Sequence, residues 1–457
     1  MKVMLVGTDC FSKMHGGGEV YVRNLAKGLL AGNHAVIYIS IVVDDIQKSE
    51  QIRLNNEVVE EWQWFFPRQW FQADIDLKSH LIKSIAGKIR EVNPDIIHAH
   101  GWKRYTCLGA VLANKPCIIT AHHGGIVCPA GALLRADDTI CRVPAHDTNC
   151  LQCCVKQVPG WRIWYLLLRH IPLFTRLKFG KYIRKFLFVP FLTPLGVVTH
   201  EINEKIRAVS DIGKYANKLI APSPAIGEAL IRNGIPIGKI HVVAHGISRL
   251  PHVPLSKDFN DRPLRFVFIG RINRVKGLHI LLQACARLPL GSYELHVVGY
   301  PSTRQEKRYY DGLRRKYSLK NMIWHGYKLA DDVAKILCVC DVMIHPAICL
   351  EVYGLTIAES LSVGRPVIAT RCGGPEIQIQ DGINGVLIPP NDSHALVQTM
   401  KRLIDQPELV QSMADNIEKV NDIAAHIVEI EKIYGYEIGQ GCMNRCNSKS
   451  EHENKTL

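Results

Sequence analysis

The 457-residue sequence lacks a long uninterrupted apolar run, although 47% of its residues are hydrophobic. No uncharged stretch reaches the roughly 18–20 apolar residues that a membrane-spanning helix needs. The first nine residues carry one lysine ahead of a short strand-like run, which is too little for a secretory signal peptide. These absences predict a cytoplasmic protein without a spanning helix.

Acidic residues are also in deficit, since 42 Asp and Glu face 56 Lys and Arg, for a formal net charge of +14. Such a balance favours negatively charged partners: nucleic acids, anionic membranes or phosphate-bearing substrates. The sequence has no C2H2 zinc-finger spacing, no RNP aromatics and no Gly-rich basic tail, so a nucleic-acid partner is not expected. An anionic membrane surface together with a phosphate-bearing substrate accounts for the charge better.

The N-terminal pattern lacks the glycine spacing of a dinucleotide site. A strand at residues 2–7 is followed by the turn Gly16-Gly17-Gly18, a helix from Glu19 to Ala31 and a strand from Ala35 to Val43. This order is typical of a parallel, doubly wound domain. Because the spacing is not G-x-G-x-x-G, an NAD-dependent oxidoreductase is disfavoured, although Asp44 lies near the end of the second strand.

The chain is longer than one ordinary core, so two domains are expected. Residues 44–75 are rich in tryptophan and are predicted to be irregular. The polar, proline-containing residues 250–263 are typical of a linker. We therefore expect a first domain over residues 1–255 and a second over 264–415, followed by a helical pattern at 417–434.

A loop, a helix and a strand are predicted from His345 to Thr370. Gly354 opens an apolar-periodic helix that ends before a β-branched strand. Glu351 precedes this helix and Glu359 lies within it. The free N–H groups of a helix N-terminus suit a phosphate, and carboxylates accept hydrogen bonds from sugar hydroxyls. The stretch is therefore a candidate site for a ligand with both groups.

This stretch resembles the E-x7-E signature of retaining glycosyltransferases with two Rossmann-like domains facing across a cleft, the GT-B enzymes of family 4. The pattern departs from the usual one at Val352, where Pro or Gly is common, and at Ala347, where Ser often stands. The resemblance implies that Glu351 contacts the donor sugar and Glu359 the ribose. It also implies donor-binding positions at Tyr353, Gly354 and Leu355.

Two further motifs resemble the donor side of this family. Arg271 and Lys276 follow the strand at 264–269 in the pattern G-R-[LI]-x-x-x-K-G. The resemblance implies that they neutralise the donor diphosphate, and two cations can do so without a metal ion. Gly16 and Gly17 resemble the G-G-x-E opening, whose backbone amides approach the diphosphate; a tight structural turn is the alternative explanation.

The strand at 116–120 ends in Ala121-His122-His123-Gly124, which resembles the family pattern T-x-H-D. His122 takes the position beside the transferred sugar, where an imidazole can donate to a hydroxyl. His123 replaces the usual Asp, which leaves the orientation of His122 open. The strand at 95–100 resembles P-D-[IV]-[IV]-H-x-H, and its His98 and His100 are predicted to be wall residues rather than catalysts.

Cysteines are concentrated in the loop that follows. The candidate ligands of a structural zinc ion are Cys128, Cys141, Cys150 and Cys153, with Cys154 adjacent. Their C-x2-C ending has metal-ligand spacing, and four thiolates form a closed site. A subset of the family carries a similar insertion, while a reduced cluster or a redox pair is the alternative. A closed site has no open position, so no catalytic cofactor is expected.

Residues 161–198 combine aromatic and long aliphatic side chains with seven Lys and Arg and no acidic residue. This composition is typical of a segment at an anionic membrane interface. Prolines at 172, 190 and 194 divide the segment, which argues against a spanning helix. A pair of helices that cover the core is the alternative.

The resemblance as a whole implies a hexosyltransferase that uses a UDP- or GDP-linked sugar and retains the anomeric configuration. The expected acceptor is a lipid-linked or polysaccharide-precursor saccharide, at the inner face of the membrane. A C-terminal helix at 416–438 is implied to cross back to the first domain. The alternatives are a catalytically silent nucleotide-sugar-binding protein and, less favoured, the oxidoreductase.

Overall fold

The computed structural model describes residues 1–8, 16–44, 50–55, 59–67, 75–156, 161–172, 175, 193–248, 250–255, 259, 262–418 and 420–453. These residues form two compact units. The first unit contains Met1–Gly131, Val143–Gly246 and Ile423–Leu457, and the second contains Ala132–Arg142 and Ile247–Asp422. The C-terminal segment therefore belongs to the first unit.

The strands of the first unit are β1 (Lys2–Gly7), β2 (Ala35–Asp44), β3 (Glu50–Asn55), β4 (Glu60–Pro67), β5 (Ile96–Ala99), β6 (Cys117–Thr120), β7 (Lys218–Ala221) and β8 (Ile240–Val242). They form one sheet in the order β3-β4-β2-β1-β5-β6-β7-β8. Only β3 runs antiparallel to its neighbour within the described sheet. A central parallel strand is covered on both faces, which explains the unbroken apolar run of β1.

The strands of the second unit are β9 (Leu264–Ile269), β10 (Tyr293–Val298), β11 (Met322–Gly326), β12 (Val342–His345), β13 (Val367–Thr370) and β14 (Gly385–Ile388). They form a parallel sheet in the order β11-β10-β9-β12-β13-β14. The carboxyl ends of β9, β12 and β13 are therefore neighbours, and the loops after them emerge at one edge of the sheet.

Helices connect the strands in both units. They are α1 (Gly17–Ala31), α2 (Ile75–Val92), α3 (Lys103–Leu112), α4 (Asp147–Val155), α5 (Trp161–Leu168), α6 (Thr193–Tyr215), α7 (Pro224–Arg232), α8 (Leu278–Cys285), α9 (Arg304–Lys316), α10 (Ala330–Val339), α11 (Leu355–Ser362), α12 (Ser393–Asp405), α13 (Glu408–Asp415) and α14 (Ile423–Glu453). The alternation of parallel strands and helices confirms the predicted α/β class. No helix in the described ranges is long and apolar enough to cross a membrane.

Two local predictions are wrong. Residues 44–75 are not irregular throughout, because β3 and β4 lie within them. The missed signal was the period-two alternation of Trp62 and Trp64 on β4, which pairs with β2 along eight residues. The C-terminal helical pattern also begins later than predicted, at Ile423 rather than residue 417.

Packing in the second unit positions the loops of interest. Phe266 and Phe268 of β9 lie in a core with Leu278 and Leu281 of α8, so the short connection between strand and helix is fixed at both ends. Arg365, between α11 and β13, is buried and donates to the carbonyls of Cys340, Cys338 and Val253 among others. The start of β13 is thereby tied to the end of α10.

Candidate active site

Gly277 brings the loop after β9 against the loop after β12. Its φ is 72°, and a Cβ built there would lie 1.7 Å from the carbonyl oxygen of Pro346. The amide of Ile348 donates to the carbonyl of Val275 over 2.9 Å, which joins the same two loops. Only glycine allows this approach, and it places Lys276 beside the residues that follow β12.

Lys276 and Glu351 form the central ion pair of the second unit. Lys276 Nζ donates to Glu351 Oε2 over 2.6 Å, and His345 Nε2 lies 3.3 Å from the same oxygen. Burial by itself would raise the pKa of Glu351, but Lys276 and His345 hold it well below its usual range. Burial would likewise lower the pKa of Lys276, and Glu351 raises it. Both groups are therefore charged at neutral pH.

The backbone of Glu351 is fixed by the loop after β13. Its amide donates to the carbonyl of Cys372 over 2.7 Å, and its carbonyl accepts from Gly374 over 2.8 Å. A Cβ on Gly374 would lie 2.5 Å from the Tyr353 backbone. Three loops therefore converge on one carboxylate at the carboxyl edge of the sheet, where α/β folds bind ligands.

Helix α11 begins at this point. Gly354 precedes it with a φ of 87°, and its carbonyl accepts from Ile357 over 2.9 Å. The neighbouring Tyr353 is buried, which raises the pKa of its hydroxyl to about 12. Leu355, the first helical residue, contributes one of the amides that have no partner within an α-helix. These amides give the site a partial positive charge.

Glu359 lies on α11, eight residues after Glu351. Burial raises the pKa of its carboxyl to about 7. No side chain or amide among the described residues donates a hydrogen bond to this carboxyl. Its oxygens can therefore accept hydrogen bonds from a ligand.

Arg271 contacts a different carboxylate. Its guanidinium donates to Glu306 Oε1 over 2.8 Å, and its side chain is half exposed. Glu306 also accepts from the amides of Ser302 and Thr303 at the start of α9. The structure thus places Arg271 on the loop after β9, as the motif predicts, but pairs it with Glu306 rather than with Glu351.

In the first unit, the start of α1 lies against His122. A Cβ on Gly18 would lie 3.1 Å from His122 Cβ and 3.6 Å from its Nδ1. Gly16 precedes the helix, and its amide donates to the Glu19 carboxylate over 2.7 Å. Gly17 is the first helical residue and is exposed. The glycine turn therefore permits a close approach to His122.

His122 is part of a group of imidazoles that we call the histidine cluster. Its members are His98, His100, His122, His245 and His426. They come from β5, from the loops after β5, β6 and β8, and from α14. Tyr21 of α1 lies among them, with its ring 4.0 Å from that of His245 and its hydroxyl 2.8 Å from His426 Nε2.

Hydrogen bonds distinguish the members of the cluster. Both ring nitrogens of His98 have partners at 2.7 Å, the hydroxyls of Tyr434 and Thr120. His426 Nδ1 donates to the carbonyl of Ala244 over 2.8 Å. His100 Nδ1 lies 2.8 Å from His122 Nε2. Sequence reasoning identified His122 but treated His100 only as a wall residue.

The histidine cluster is neutral at physiological pH. Burial, with the repulsion of neighbouring imidazoles and Lys103, lowers the pKa of His98 to about 3 and that of His122 well below its usual range. Burial and then neighbouring imidazoles lower the pKa of His100 and His245, and burial lowers that of His426 to about 4. A neutral imidazole has one donor and one acceptor nitrogen, so those rings of the cluster whose nitrogens are not both bonded within the fold can bind neutral hydroxyl groups.

The candidate zinc ligands fall in both units. Cys141 belongs to the second unit, whereas Cys128, Cys150 and Cys153 belong to the first. Burial and then the nearby thiols of Cys150, Cys128 and Cys153 raise the pKa of the Cys154 thiol above its usual range. Within the described ranges, no three His, Cys, Asp or Glu residues are arranged to hold a metal ion. The zinc site stays a prediction.

Part of the basic aromatic segment is described. Residues 161–168 form α5, and residues 173, 174 and 176–192, with five of the seven basic side chains, lie outside the described residues. Leu168 and Tyr165 of α5 pack on Leu151, Val155 and Ile202. The opposite side of α5 is apolar and exposed: Ile163, Leu166 and Leu167 are 65%, 52% and 54% accessible.

Two family models match the chain. The model described as "Glycosyl transferases group 1" matches residues 255–420, and "Glycosyltransferase Family 4" matches residues 15–139. The chain is 31% identical to the O-antigen chain mannosyltransferase C of Escherichia coli over 187 residues, which is 40% of this chain and 47% of that protein. It is 26% identical over 198 residues to the amylovoran biosynthesis glycosyltransferase AmsK of Erwinia amylovora, 41% of this chain and 47% of AmsK. The chain thus spans about half the length of these curated relatives.

The fold is also similar to solved structures. Anabaena Alr3699/HepE, in complex with UDP and glucose, superposes with a TM-score of 0.64 at 16% identity, over 95% of this chain and 99% of that chain. A likeness at this identity shows the fold. It confirms the predicted class, two Rossmann-like domains of the GT-B type.

Proposed function

Because the chain belongs to the glycosyltransferases with the GT-B fold, we propose that it transfers a hexose from a nucleoside-diphosphate sugar. The donor is UDP- or GDP-linked, the acceptor is a lipid-linked or polysaccharide-precursor saccharide, and the anomeric configuration is retained. The observation that carries this proposal is the Lys276–Glu351 ion pair, held by three loops beside the start of α11.

The second unit binds the donor in this proposal. Lys276, Arg271 and the first amides of α11 stabilise the diphosphate, because fixed positive charge lowers the energy of a leaving group that gains negative charge. Glu351 accepts hydrogen bonds from the donor sugar, and Glu359 accepts them from the ribose hydroxyls. In the first unit, the glycine turn at the start of α1 contributes amides to the donor, and His122 supports the transferred sugar.

The proposed step breaks the bond between C1 of the sugar and the oxygen of the β-phosphate, and the electron pair leaves with the diphosphate. The acceptor oxygen forms its bond to C1 on the same face. The acceptor proton passes to the departing phosphate oxygen. Glu351 is not a nucleophile in this scheme, since its carboxylate is already bonded to Lys276 and lies near His345. No metal ion or cofactor enters the step.

A thermal-shift panel of UDP, GDP, ADP and NAD tests the donor class, because a ligand that binds only the folded state raises the melting temperature. A shift with UDP or GDP is expected, and Lys276→Ala should abolish it. Lys307→Ala is the matched control, since Lys307 pairs with Asp311 on the exposed side of α9. A shift with NAD alone would overturn the proposal.

Anomeric NMR of the product then tests retention of configuration. Binding of the nucleotide without sugar transfer would favour a catalytically silent binding protein.

We also propose that α5 lies on an anionic membrane surface. Ile163, Leu166 and Leu167 recur at helical spacing on one exposed side, opposite the buried Leu168. The flanking Arg162 and Arg169 are exposed, and no acidic residue occurs between 161 and 198. Apolar side chains flanked by arginines are the arrangement that inserts at the level of anionic headgroups.

Flotation with vesicles tests the membrane proposal. Wild-type protein is expected to float with vesicles that contain phosphatidylglycerol and not with pure phosphatidylcholine. Serine at positions 163, 166 and 167 together should abolish flotation. The control replaces Val111 and Leu112 by serine, an exposed apolar pair on α3. Flotation that the triple change leaves intact would refute the role of α5.

A further inference from the structure

His100 Nε2 and His122 Nδ1, on two adjacent rings of the histidine cluster, are buried without a hydrogen-bond partner among the described residues. The residue His100 is only 7% exposed. A buried polar atom without a partner is unfavourable, so such atoms in a native structure are expected to have a function or a ligand.

The inner nitrogens of the same two rings face each other. His100 Nδ1 and His122 Nε2 are 2.8 Å apart, which is a hydrogen bond and therefore contains one proton. Each neutral imidazole has one N–H and one bare nitrogen. If His100 donates the inner bond, the outer nitrogen of His122 carries a proton and that of His100 is bare. If His122 donates, the two outer nitrogens exchange roles.

The two rings therefore act as one unit in either arrangement. In both arrangements one outer nitrogen is a hydrogen-bond donor and the other is an acceptor. The outer nitrogens lie on the far sides of the two rings, whose centroids are 5.0 Å apart, so each needs its own partner. A hydroxyl group can satisfy either nitrogen, because it both donates and accepts. A phosphate or a carboxylate offers no proton to the bare nitrogen and leaves it unsatisfied. The unit selects neutral, hydroxyl-bearing ligands over anions.

The geometry points to His100 as the positioning residue of His122: we propose that the inner hydrogen bond fixes the ring orientation and tautomer of His122, so that His122 Nδ1 binds a sugar hydroxyl. This inference rests on the proposed transfer of a sugar. His123, which stands where the related motif has Asp, is exposed, and its ring lies beside Gly125. Control of the His122 tautomer therefore comes from β5 rather than from the following residue.

Neutrality of both rings supports this arrangement. Burial is the first cause that lowers the pKa of His100 and His122, followed by neighbouring imidazoles and Lys103. The groups that face the pair are Lys103, His98, His123, His245 and the Tyr21 ring, none of them acidic. A second proton would place two N–H groups against each other at the inner contact.

His98 supplies a matched control for a merely structural role. It lies on β5, two residues before His100, and the two rings are 4.1 Å apart. Both of its nitrogens are satisfied within the fold by Tyr434 and Thr120. Replacing His98 should therefore lower stability and leave the His122 tautomer unchanged.

The test measures tautomers and turnover on the full chain. Nitrogen-15 NMR of histidine-labelled protein should find one tautomer for His122 in the wild type and in His98→Asn, and a mixture in His100→Leu. In His100→Leu, kcat with the nucleotide sugar found in the donor panel should fall on the order of 10- to 100-fold with little change in KM, because only orientation is lost. His100→Asn should restore most of the turnover, since an amide can replace Nδ1.

A single His122 tautomer with wild-type kcat in His100→Leu would overturn the inference, as would an equal loss of kcat in His98→Asn. If His100→Leu does not fold, the His100→Asn variant and the wild-type tautomer decide the question. Absence of turnover in the wild type would refute the proposed function instead, and the wild-type tautomer would still test the pair.

Discussion

Replacing Glu359 by glutamine should stabilise the protein and impair donor binding at the same time. The pKa of this carboxyl is about 7 in the fold against an ordinary value of 4.5, and burial is the cause. Glutamine has nearly the same shape and no charge. The change therefore removes the cost of a partly buried carboxylate and replaces one of the two oxygens proposed to accept from the ribose hydroxyls by an NH2 donor.

The magnitude follows from linkage between protonation and folding. A carboxyl with a raised pKa contributes stability below about pH 4.5, and this contribution is lost as the pH rises through about 7. The full loss is about 3 kcal/mol. The free energy of unfolding of Glu359→Gln should thus be close to that of wild type near pH 4. At pH 8 it should exceed that of wild type by up to about 3 kcal/mol, which is roughly 6–12 °C in melting temperature for a domain of this size.

Glu351→Gln is the matched comparison, because the two glutamates have opposite pKa shifts. The pKa of Glu351 is held low by Lys276 and His345 against the effect of burial. Its replacement leaves the Lys276 ammonium without its carboxylate, which should cost about 3 kcal/mol near neutral pH. One glutamine should therefore stabilise the protein and the other destabilise it, while both weaken binding of the nucleotide sugar.

Thermal and urea unfolding from about pH 4 to pH 8 measure the stabilities, and calorimetric titration with the nucleotide identified by the panel measures affinity. Binding by wild type should strengthen as the pH rises through about 7, where Glu359 ionises. The reasoning fails if Glu359→Gln is no more stable than wild type at pH 8. The ribose role fails separately if that variant binds the nucleotide as tightly as wild type.

Three further predictions concern other parts of the chain. Acid should destabilise the first unit, because the unfolded chain binds protons that the buried neutral imidazoles do not. Each such imidazole lowers the free energy of unfolding by about 1.4 kcal/mol per pH unit below 6.5, and an unfolding midpoint that is constant from pH 7.5 to pH 5.5 would contradict this. Gly277→Ala should weaken nucleotide binding, since its Cβ meets the Pro346 carbonyl, whereas Gly291→Ala, with φ of 84° and nothing within 4 Å, should add only backbone strain; equal binding by both variants would show that the close approach is unimportant. Metal analysis of pure protein tests the four-thiolate prediction, which expects about one zinc per chain, and metal-free protein would dismiss it.

The donor side of the site could be predicted from the sequence because its residues stand at fixed distances from strand ends. Lys276 and Glu351 are far apart in the chain, but each follows a strand at the same edge of one sheet. Their side-chain partners could not be predicted. That Arg271 bonds to Glu306 and that His345 lies near Glu351 depends on where α9 and β12 pass in space.

The first unit was less predictable for a physical reason. The histidine cluster draws its five members from five places between β5 and α14. No short motif records such an arrangement, and a histidine in an apolar strand has the same local pattern whether its nitrogens are satisfied or not. His98 and His100 illustrate this, since they are two residues apart and only His98 has both nitrogens bonded within the fold.

The two candidate subsites differ in charge, and this bears on how a donor would bind. Each cation predicted to meet the diphosphate already has a carboxylate partner, Lys276 with Glu351 and Arg271 with Glu306. The free energy gained from the diphosphate is therefore the difference between two sets of ion pairs, not the whole of one. In the histidine cluster, no group among the described residues bonds to His100 Nε2 or His122 Nδ1. A sugar hydroxyl that binds there breaks no hydrogen bond within the fold, so its binding free energy is not reduced by such a loss.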